Sequence, residues 1–182
     1  MEKQAKRVLV LSAVARKGGN TDRISEEFVK GAEAEGHTIE KVQVHAMTIK
    51  GCIGCRACQS NGGKCVLRDD MAAVYDKMKE ADVLVWVTPV YFYSFNSQLK
   101  AVMDRTFAIE HVIKDKTAYL IASGAAPKVE YMALLTDHFR KYLSCFNHIT
   151  EGGIVIGCGT TNKGDIDGSP ALQEAFEMGK NI

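Results

Sequence analysis

Five short apolar segments alternate with segments of helical periodicity along the chain, and this alternation constrains the fold most. Two of them, RVLVLS at Arg7–Ser12 and VLVWVT at Val83–Thr88, are almost continuously apolar, which is typical of strands buried on both faces of a parallel sheet. The other predicted strands are Thr38–His45, Thr117–Ser123 and Ile149–Cys158. Successive βα units predict one α/β domain over residues 1–182: a doubly wound, five-stranded parallel sheet of order 2-1-3-4-5 with helices on both faces.

The helices between these strands carry recognisable start and stop residues. The first has apolar residues at helical spacing, Ile24, Phe28 and Ala32. Its predicted N-cap is Asn20 or Thr21, and Gly36 is predicted to end it. The remaining helices are predicted from Asp69 or Asp70 to about Ala81, from Asn96 or Ser97 to Arg105, from Val129 to Leu143, and after Ser169, which caps a helix with Pro170 in its first turn.

Charge and hydropathy exclude several classes of function. The net charge is +1 and the basic residues are scattered, so the chain lacks the basic stripe that nucleic-acid binding requires. The apolar run near the N-terminus is shorter than a secretory or membrane-spanning segment and leads into a polar, glycine-rich loop, so no membrane partner is expected. These features predict a cytoplasmic protein whose thiols are kept reduced.

Two unusual loops follow the first and third strands, where the doubly wound topology opens a crevice at the carboxyl edge of the sheet. The first loop combines hydroxyls, an arginine, two glycines and a helix N-terminus, whose N–H groups and dipole favour a phosphate monoester. Its candidate binding residues are Ser12, Arg16, Gly19, Asn20 and Thr21. The same residues also suit an ordinary polar turn, and neither the Walker nor the dinucleotide glycine spacing is present.

The loop after the third strand holds four aromatic residues within five positions, Tyr91, Phe92, Tyr93 and Phe95. Packing of one element face explains such a group poorly, although some of the rings suit core or dimer contacts. Pro89 imposes an extended backbone, and the peptide groups that follow it, from Val90 to Phe92, face the edge of a flat heterocycle. Ser123 and Gly124 begin a third loop, small enough for a ring to lie against its backbone. Together the loops predict a mononucleotide with a flat ring system.

These loops resemble those of the NAD(P)H-dependent FMN reductase group of flavodoxin-like proteins. Members typically read Ser-Pro-Arg-x-x-Gly-Asn-Thr after the first strand, and Pro-Val-Tyr-Phe, Gln-Leu-Lys and Asp-Arg after the third. The matching residues here are Arg16, Gly19, Asn20, Thr21, Pro89, Val90, Tyr91, Phe92, Gln98, Leu99, Lys100, Asp104 and Arg105. Val14 and Ala15 stand where Ser-Pro is usual, which removes a hydroxyl from the phosphate site; Ser12 is the residue expected to compensate.

The resemblance implies FMN as cofactor, NAD(P)H as donor, and ping-pong hydride transfer through flavin N5 to a quinone, a free flavin or another small-molecule electron acceptor. No catalytic side chain is then required, because the flavin ring carries the chemistry. The five histidines show no catalytic spacing with a carboxylate or a cysteine and are interpreted as surface or capping residues. The resemblance also implies a homodimer that completes the flavin pocket, with the aromatic loop and the segment 107–116 as candidate contacts.

Four of the six cysteines lie in one glycine-rich loop, as Cys52-x2-Cys55-x2-Cys58-x6-Cys65. With the Asp69-Asp70-Met71 that follows, this loop is similar to the motif of iron-sulfur flavoproteins, which implies a [4Fe-4S] cluster near FMN. Two-residue gaps let a loop wrap a cubane, and glycines permit the tight turns. Nearby positive charge that compensates the thiolates is predicted at Arg56, Lys64 and Arg68.

Other interpretations of the cysteine loop stay open. Many flavin reductases of this broad group carry a similar segment with no assigned cluster, four thiols also suit structural zinc, and Cys52 with Cys55 suits a redox disulfide. With a cluster, the protein is an electron carrier that receives single electrons from a ferredoxin; a further alternative is a flavodoxin-like scaffold that binds no flavin. Cys145 and Cys158 lie in apolar contexts and are interpreted as core residues.

Overall fold

The computed structural model describes residues 4–182, so the first three residues of the basic N-terminal start lie outside the described part. The strands are β1 (Arg7–Ser12), β2 (Thr38–Gln43), β3 (Val83–Tyr91), β4 (Ser94–Phe95), β5 (Lys116–Ser123) and β6 (Ile149–Gly157). The helices are α1 (Asn20–Ala34), α2 (Met71–Glu80), α3 (Ser97–Arg105), α4 (Ala133–Leu143) and α5 (Pro170–Lys180). None of the helices within residues 4–182 combines the length and the apolar composition that crossing a membrane requires.

Five strands pair in parallel in the order β2-β1-β3-β5-β6, which confirms the predicted doubly wound topology. The order reverses between β1 and β3, so the carboxyl ends of these two strands border one crevice. The sequence pattern does not predict β4, a two-residue strand that pairs antiparallel with the end of β3. A strand this short has no room for the alternation by which strands are recognised.

The two faces of the sheet carry separate hydrophobic clusters. On β1, Val8 and Val10 point to the face covered by α1 and α5, whereas Leu9 and Leu11 point to the face covered by α2, α3 and α4. Successive side chains of a strand point to opposite faces, so a continuously apolar strand fills both layers. Helices therefore cover both faces, as predicted.

Several predicted element ends differ from the observed ones. Residues 44–46 and 129–132 form 3₁₀ turns, so β2 ends at Gln43 and α4 begins at Ala133. Gly152 is an extra residue in β6 that shifts the register against β5. The caps of the last and third helices are confirmed, because Ser169 and Asn96 each accept a hydrogen bond from a backbone N–H of the helix that follows.

The predicted cap of α1 is wrong. Gly19 is the N-cap, with an extended backbone, and Asn20 and Thr21 lie in the first turn of the helix. A Cβ at Gly19 would stand 2.8 Å from the carbonyl oxygen of Arg16, so a side chain at this position would have no room. Because Gly19 offers no side-chain oxygen, the first N–H groups of α1 lack the usual capping partner.

Direct backbone contact between α1 and α5 fixes the direction of α1. A Cβ on Gly31 would stand 2.0 Å from the carbonyl oxygen of Phe176, and one on Gly179 would stand 2.0 Å from that of Phe28. Only glycine at both positions lets the two helices approach this closely. The contact therefore helps to hold the start of α1 at the crevice.

We expect Gly31→Ala to lower the free energy of unfolding by about 3 kcal/mol, because the added methyl group forces α1 and α5 apart. Urea unfolding followed by circular dichroism measures the change. Gly51→Ala is the matched control, since nothing lies within 4 Å of a Cβ at Gly51. Equal unfolding midpoints for Gly31→Ala and the wild type would show that α1 and α5 can accommodate the methyl group without loss of stability.

Candidate functional site

A cavity of about 450 Å³ opens at the carboxyl ends of β1, β3 and β5, where the topology predicts a crevice. Its volume is typical of small-molecule sites in proteins. The residues that line it are Val14, Ala15, Arg16, Gly19, Asn20, Thr21, Pro89, Val90, Tyr91, Ser123, Gly124, Ala125, Thr160 and Thr161. The structure thus brings together all the predicted flavin-binding residues except Ser12 and Phe92.

The start of α1 gives one end of the cavity its affinity for an anion. The N–H groups of the first turn have no side-chain cap, and they form the positive end of the helix dipole. Arg16 is exposed and carries the single charge among the described residues that line the cavity. Both features favour a phosphate group at this end.

Asn20 lies in the cavity wall, but its side chain is engaged elsewhere. Its Nδ2 donates to the carbonyl oxygen of Asn162 at 2.7 Å. Its Oδ1 accepts hydrogen bonds from the N–H groups of Gly164 at 3.1 Å and Ile166 at 3.4 Å. These partners are all backbone groups of the segment after β6, so Asn20 anchors that segment rather than capping α1.

Two buried hydroxyls join α1 to the end of β5. Thr21 Oγ1 and Ser123 Oγ lie 2.6 Å apart, so one donates to the other.

Ser12 is fully buried, and its Oγ has no hydrogen-bond partner within residues 4–182. Ser12 is not among the residues that line the cavity. Its hydroxyl therefore does not replace the one that is missing at Val14.

The aromatic loop is a tight hairpin between β3 and β4. Phe92 and Tyr93 have φ angles of 49° and 63°, as in a type I′ turn, where glycine and asparagine are normally found. Pro89, Val90 and Tyr91 precede the turn and line the cavity. Phe92, at the tip, is 99% exposed and lines a neighbouring cavity of about 410 Å³ instead. Bulky residues in this conformation are strained, so the surrounding structure must hold the turn in place.

A segment that the sequence analysis missed closes one side of the cavity. We call residues 158–168, between β6 and α5, the C-terminal strap. Its residues Thr160 and Thr161 line the cavity. The run Gly-Thr-Thr-Asn at 159–162 was the available signal, because it directly follows the carboxyl end of a parallel strand, where the loops border the crevice.

The four clustered cysteines surround a second cavity, of about 40 Å³. Cys52, Cys55, Cys58 and Cys65 all line it, and all six cysteines of the chain are free thiols. Across residues 4–182, no three His, Cys, Asp or Glu side chains are arranged to hold one metal ion. Four thiols that line one space are the ligand set of an iron-sulfur cluster and of structural zinc alike.

A buried ion pair ties together the two ends of the cysteine loop. Arg105 Nη1 lies 2.6 Å from Asp69 Oδ2, and the two side chains are 1% and 3% exposed. The guanidinium also donates to the carbonyl oxygens of Lys50 at 3.0 Å and Leu67 at 3.5 Å, which flank the loop. Asp69 in turn accepts a hydrogen bond from the N–H of Lys50 at 3.0 Å. The Asp-Arg pair therefore closes the base of the loop.

Both members of this pair are charged, and Arg105 is the one that lines the thiol cavity. Burial alone would raise the pKa of Asp69, but hydrogen bonds from Arg105 and from two backbone N–H groups outweigh burial and lower it. Burial would likewise lower the pKa of Arg105, but its hydrogen bond with Asp69 raises it. Arg105 lines the thiol cavity and stays charged throughout the accessible pH range.

Of the three residues predicted to offer positive charge, Arg56 lines the thiol cavity, and Lys64 and Arg68 do not. The prediction of a core position is wrong for Cys145. Cys145 is exposed rather than in the core, since it follows the end of α4. Cys158 is half-buried against the hydrophobic cluster, closer to the prediction.

A comparison with known families decides what kind of protein has this cavity. The sequence profile of the NADPH-dependent FMN reductases matches residues 6–157. The chain belongs to this family. The assignment confirms the family resemblance inferred from the two loops, and with it the prediction of a flavin-dependent oxidoreductase fold.

Two of the relatives of this chain are named iron-sulfur flavoproteins. The protein from Methanocaldococcus jannaschii is 34% identical over 122 residues, which are 66% of this chain and 63% of that protein. The match therefore covers less than two thirds of this relative. A protein from Archaeoglobus fulgidus is 28% identical over 170 residues, 92% of this chain and 74% of that protein.

The fold of this chain also matches solved structures. An NAD(P)H:quinone oxidoreductase from Methanothermobacter marburgensis superposes with a TM-score of 0.77 at 18% sequence identity, covering 98% of this chain and 97% of that one. At this identity the likeness establishes the flavodoxin-like fold alone.

The cavity of this chain fits the cofactor of its family. Uncapped N–H groups and a guanidinium suit the phosphate of FMN, and the Pro89–Tyr91 backbone and Gly124 in the same cavity wall suit a flat ring. A Cβ at Gly124 would stand 2.8 Å from Met132 Cε and 3.0 Å from Val90 Cβ, so this loop leaves no room for a side chain. The donor set and the shape are therefore compatible with FMN.

Proposed function

We propose that the protein takes electrons from NADPH or NADH onto FMN and passes them to a small acceptor, such as a quinone, a free flavin or a small aromatic compound. The observation that carries this proposal is the cavity at the carboxyl edge of the sheet. There the uncapped start of α1, Arg16 and the Pro89–Tyr91 backbone face one space.

The chain's own residues bind and orient the cofactor. The first turn of α1 and Arg16 hold the phosphate, while Tyr91, more than half exposed, covers part of the ring and leaves the remainder open to solvent. FMN supplies the chemistry, because it accepts a hydride in one half-reaction and donates electrons in the next. Arg16 is the charged residue of the described cavity wall, so the other wall residues act on the ring through their shape and their hydrogen bonds.

Anaerobic reduction tests this function. Protein loaded with FMN should lose the yellow flavin absorption when NADPH or NADH is added, and a quinone added afterwards should restore it without a ternary complex. Initial rates at several concentrations of both substrates should give the parallel lines of a ping-pong mechanism. If neither nicotinamide bleaches the bound flavin, a different electron donor must act.

We also propose that two copies of the chain pair through the aromatic hairpin. Tyr91, Phe92 and Tyr93 are exposed together at its tip, although large apolar side chains usually avoid water. In the segment 107–116, Ile109 and Ile113 are buried within their own chain, whereas Val112 is 55% exposed and is the apolar residue that this segment offers to a second copy. Light scattering of the purified protein, compared with Phe92→Ser, tests whether the hairpin carries the dimer contact.

A second candidate function is supported by the thiol cavity: electron transfer between a [4Fe-4S] cluster and FMN, with a ferredoxin as a candidate partner. Four thiols line one space beside the buried charge of Arg105. Helix α3 begins next to the aromatic hairpin and ends at Arg105. With nine residues, α3 is about 13 Å long. It therefore runs a short distance from the hairpin beside the flavin cavity to the thiol cavity. Free thiols and such a cluster both suit the reducing cytoplasm.

We expect Cys55→Ala to abolish iron and sulfide binding after anaerobic purification, because a cubane needs four thiolate ligands. FMN content should stay at the wild-type level, since Cys55 does not line the flavin cavity. Cys145→Ala is the control, because this exposed thiol lies outside the loop. Wild-type protein that contains flavin but no iron would remove this second function and leave the first in place.

A further inference from the structure

We propose that the C-terminal strap is part of the flavin phosphate site, and that Thr161 supplies there the hydroxyl that is absent at Val14. The inference rests on the proposed FMN function. The family profile ends at residue 157, before the strap begins, so family membership assigns no role to this segment. Val14 and Thr161 nevertheless line the same cavity, whereas Ser12 does not.

The strap is fastened to the beginning of α1 at several points. Besides the three hydrogen bonds of Asn20, the Lys163 ammonium donates to the carbonyl oxygen of Lys17 at 3.2 Å. Farther along, Asp167 forms an ion pair with Arg23 in α1. Ile166, between these contacts, is fully buried in the core beneath α1. The strap is therefore a fixed wall of the cavity.

Within the strap, Asp165 fixes the residues next to the cavity. Its Oδ2 accepts hydrogen bonds from the N–H groups of Thr161 at 2.7 Å and Asn162 at 2.6 Å. These two bonds lower the pKa of Asp165, so its carboxylate is ionised at neutral pH and holds the turn. The backbone of Thr161 is thus held in place by its own segment.

The two threonines of the strap have different roles. Thr160 is buried, and both its N–H and its hydroxyl donate to the carbonyl oxygen of Gly124, at 2.9 and 3.3 Å. It therefore clamps the strap to the loop after β5. Thr161 is exposed, and its backbone makes its hydrogen bonds, which leaves its hydroxyl for a ligand.

Thr161 also orients the charged residue of the cavity. Arg16 Nη1 donates to the carbonyl oxygen of Thr161 at 3.3 Å. One strap residue thus holds the guanidinium and presents a hydroxyl beside it. A hydroxyl donor next to a guanidinium is an arrangement that suits the oxygens of a phosphate. Asn20 acts as a positioning residue, because it holds the strap without offering its own side chain to the cavity.

Fluorescence titrations with FMN and with riboflavin, which lacks the phosphate, test the inference. Thr161→Val keeps the shape of the side chain but removes the hydroxyl. We expect this change to raise the Kd for FMN by about tenfold, as for loss of a hydrogen bond to a charged group, and to leave the Kd for riboflavin unchanged. The double variant Val14→Ser with Thr161→Val should regain most of the affinity for FMN.

Thr150→Val is the matched control, because Thr150 is exposed at the opposite end of β6. Equal FMN affinity in Thr161→Val and the wild type would overturn the inference, and so would equal weakening of FMN and riboflavin. Both results leave the proposed function standing. If the wild type binds neither flavin, the proposed function fails first and the inference falls with it.

A second variant tests the strap itself. Asn20→Ala removes the three hydrogen bonds to the strap, so we expect faster cleavage between 158 and 168 by a nonspecific protease and weaker FMN binding. Thermal unfolding checks that the remainder of the chain stays folded. A strap that resists cleavage as in the wild type, together with unchanged FMN affinity, would count against Asn20 as its anchor.

Discussion

Ala125→Trp is expected to raise the Kd for FMN at least about a hundredfold while the chain stays folded. Ala125 lines the cavity at the carboxyl edge of the sheet, which is the proposed FMN site, and also the neighbouring cavity of the aromatic hairpin. The residue is exposed, so an indole here displaces no core side chain. It would take up space that the flavin ring needs, and a loss of about 3 kcal/mol of binding free energy corresponds to that factor.

Equilibrium titration of FMN fluorescence measures this change. Ala34→Trp is the matched control, because Ala34 is exposed at the far end of α1 and the same indole there is remote from the cavity. Both variants should keep the wild-type circular dichroism spectrum. Wild-type affinity in Ala125→Trp would place the flavin somewhere other than this cavity.

Arg105→Met is expected to lower the free energy of unfolding by about 3–5 kcal/mol, because it leaves the carboxylate of Asp69 buried without its partner. The variant also loses the hydrogen bonds that join Lys50 and Leu67 across the base of the cysteine loop. Iron content after anaerobic purification should therefore fall together with stability. Urea unfolding and iron analysis measure the two effects separately.

The stability difference between the wild type and Arg105→Met should depend on pH, because the pKa of Asp69 is lowered in the wild type. In the wild type, ionised Asp69 stabilises the fold above its ordinary pKa of 3.8, and this contribution is lost as the pH falls through the lower pKa of the folded state. The stability difference between wild type and Arg105→Met should therefore shrink below pH 3.8. A difference that stays constant in acid would mean that the ion pair is not its cause.

The double variant Arg105→Met with Asp69→Leu distinguishes the effect of the ion pair on the stability of the fold from its effect on the cysteine loop. Replacing both charged partners by apolar residues should recover much of the lost stability, since no buried charge is left unpaired. Iron binding should stay low, because Lys50 and Leu67 remain untied. Recovery of iron binding along with stability would show that Arg105 serves the fold alone.

The fold was predictable from sequence because its main signals are local. The uninterrupted apolar runs of β1 and β3 identify buried parallel strands, and the handedness rule for βα units then leaves few topologies. What the sequence did not reveal were features set by neighbours, such as the two-residue β4. The cap of α1 was also missed, since Asn20 looks like a cap until its partners after β6 are known.

The candidate site also has residues that the sequence predicts and residues that only the packing of the chain reveals. Arg16, Pro89 and their neighbours follow the strands that border the crevice, so topology alone brings them together. The strap and the Asp69–Arg105 pair depend on contacts between distant residues, such as the 36 positions that separate Asp69 from Arg105. Local patterns contain no information about such contacts. The burial of Ser12 is likewise a consequence of packing that its position in the loop does not indicate.

A crystal structure of the protein grown with FMN tests the central claim most directly. The account predicts the phosphate against the first turn of α1, within hydrogen-bond reach of Arg16, and the ring beside Pro89–Tyr91 and Gly124. FMN bound outside this cavity, or crystals without FMN at saturating concentration, would contradict it.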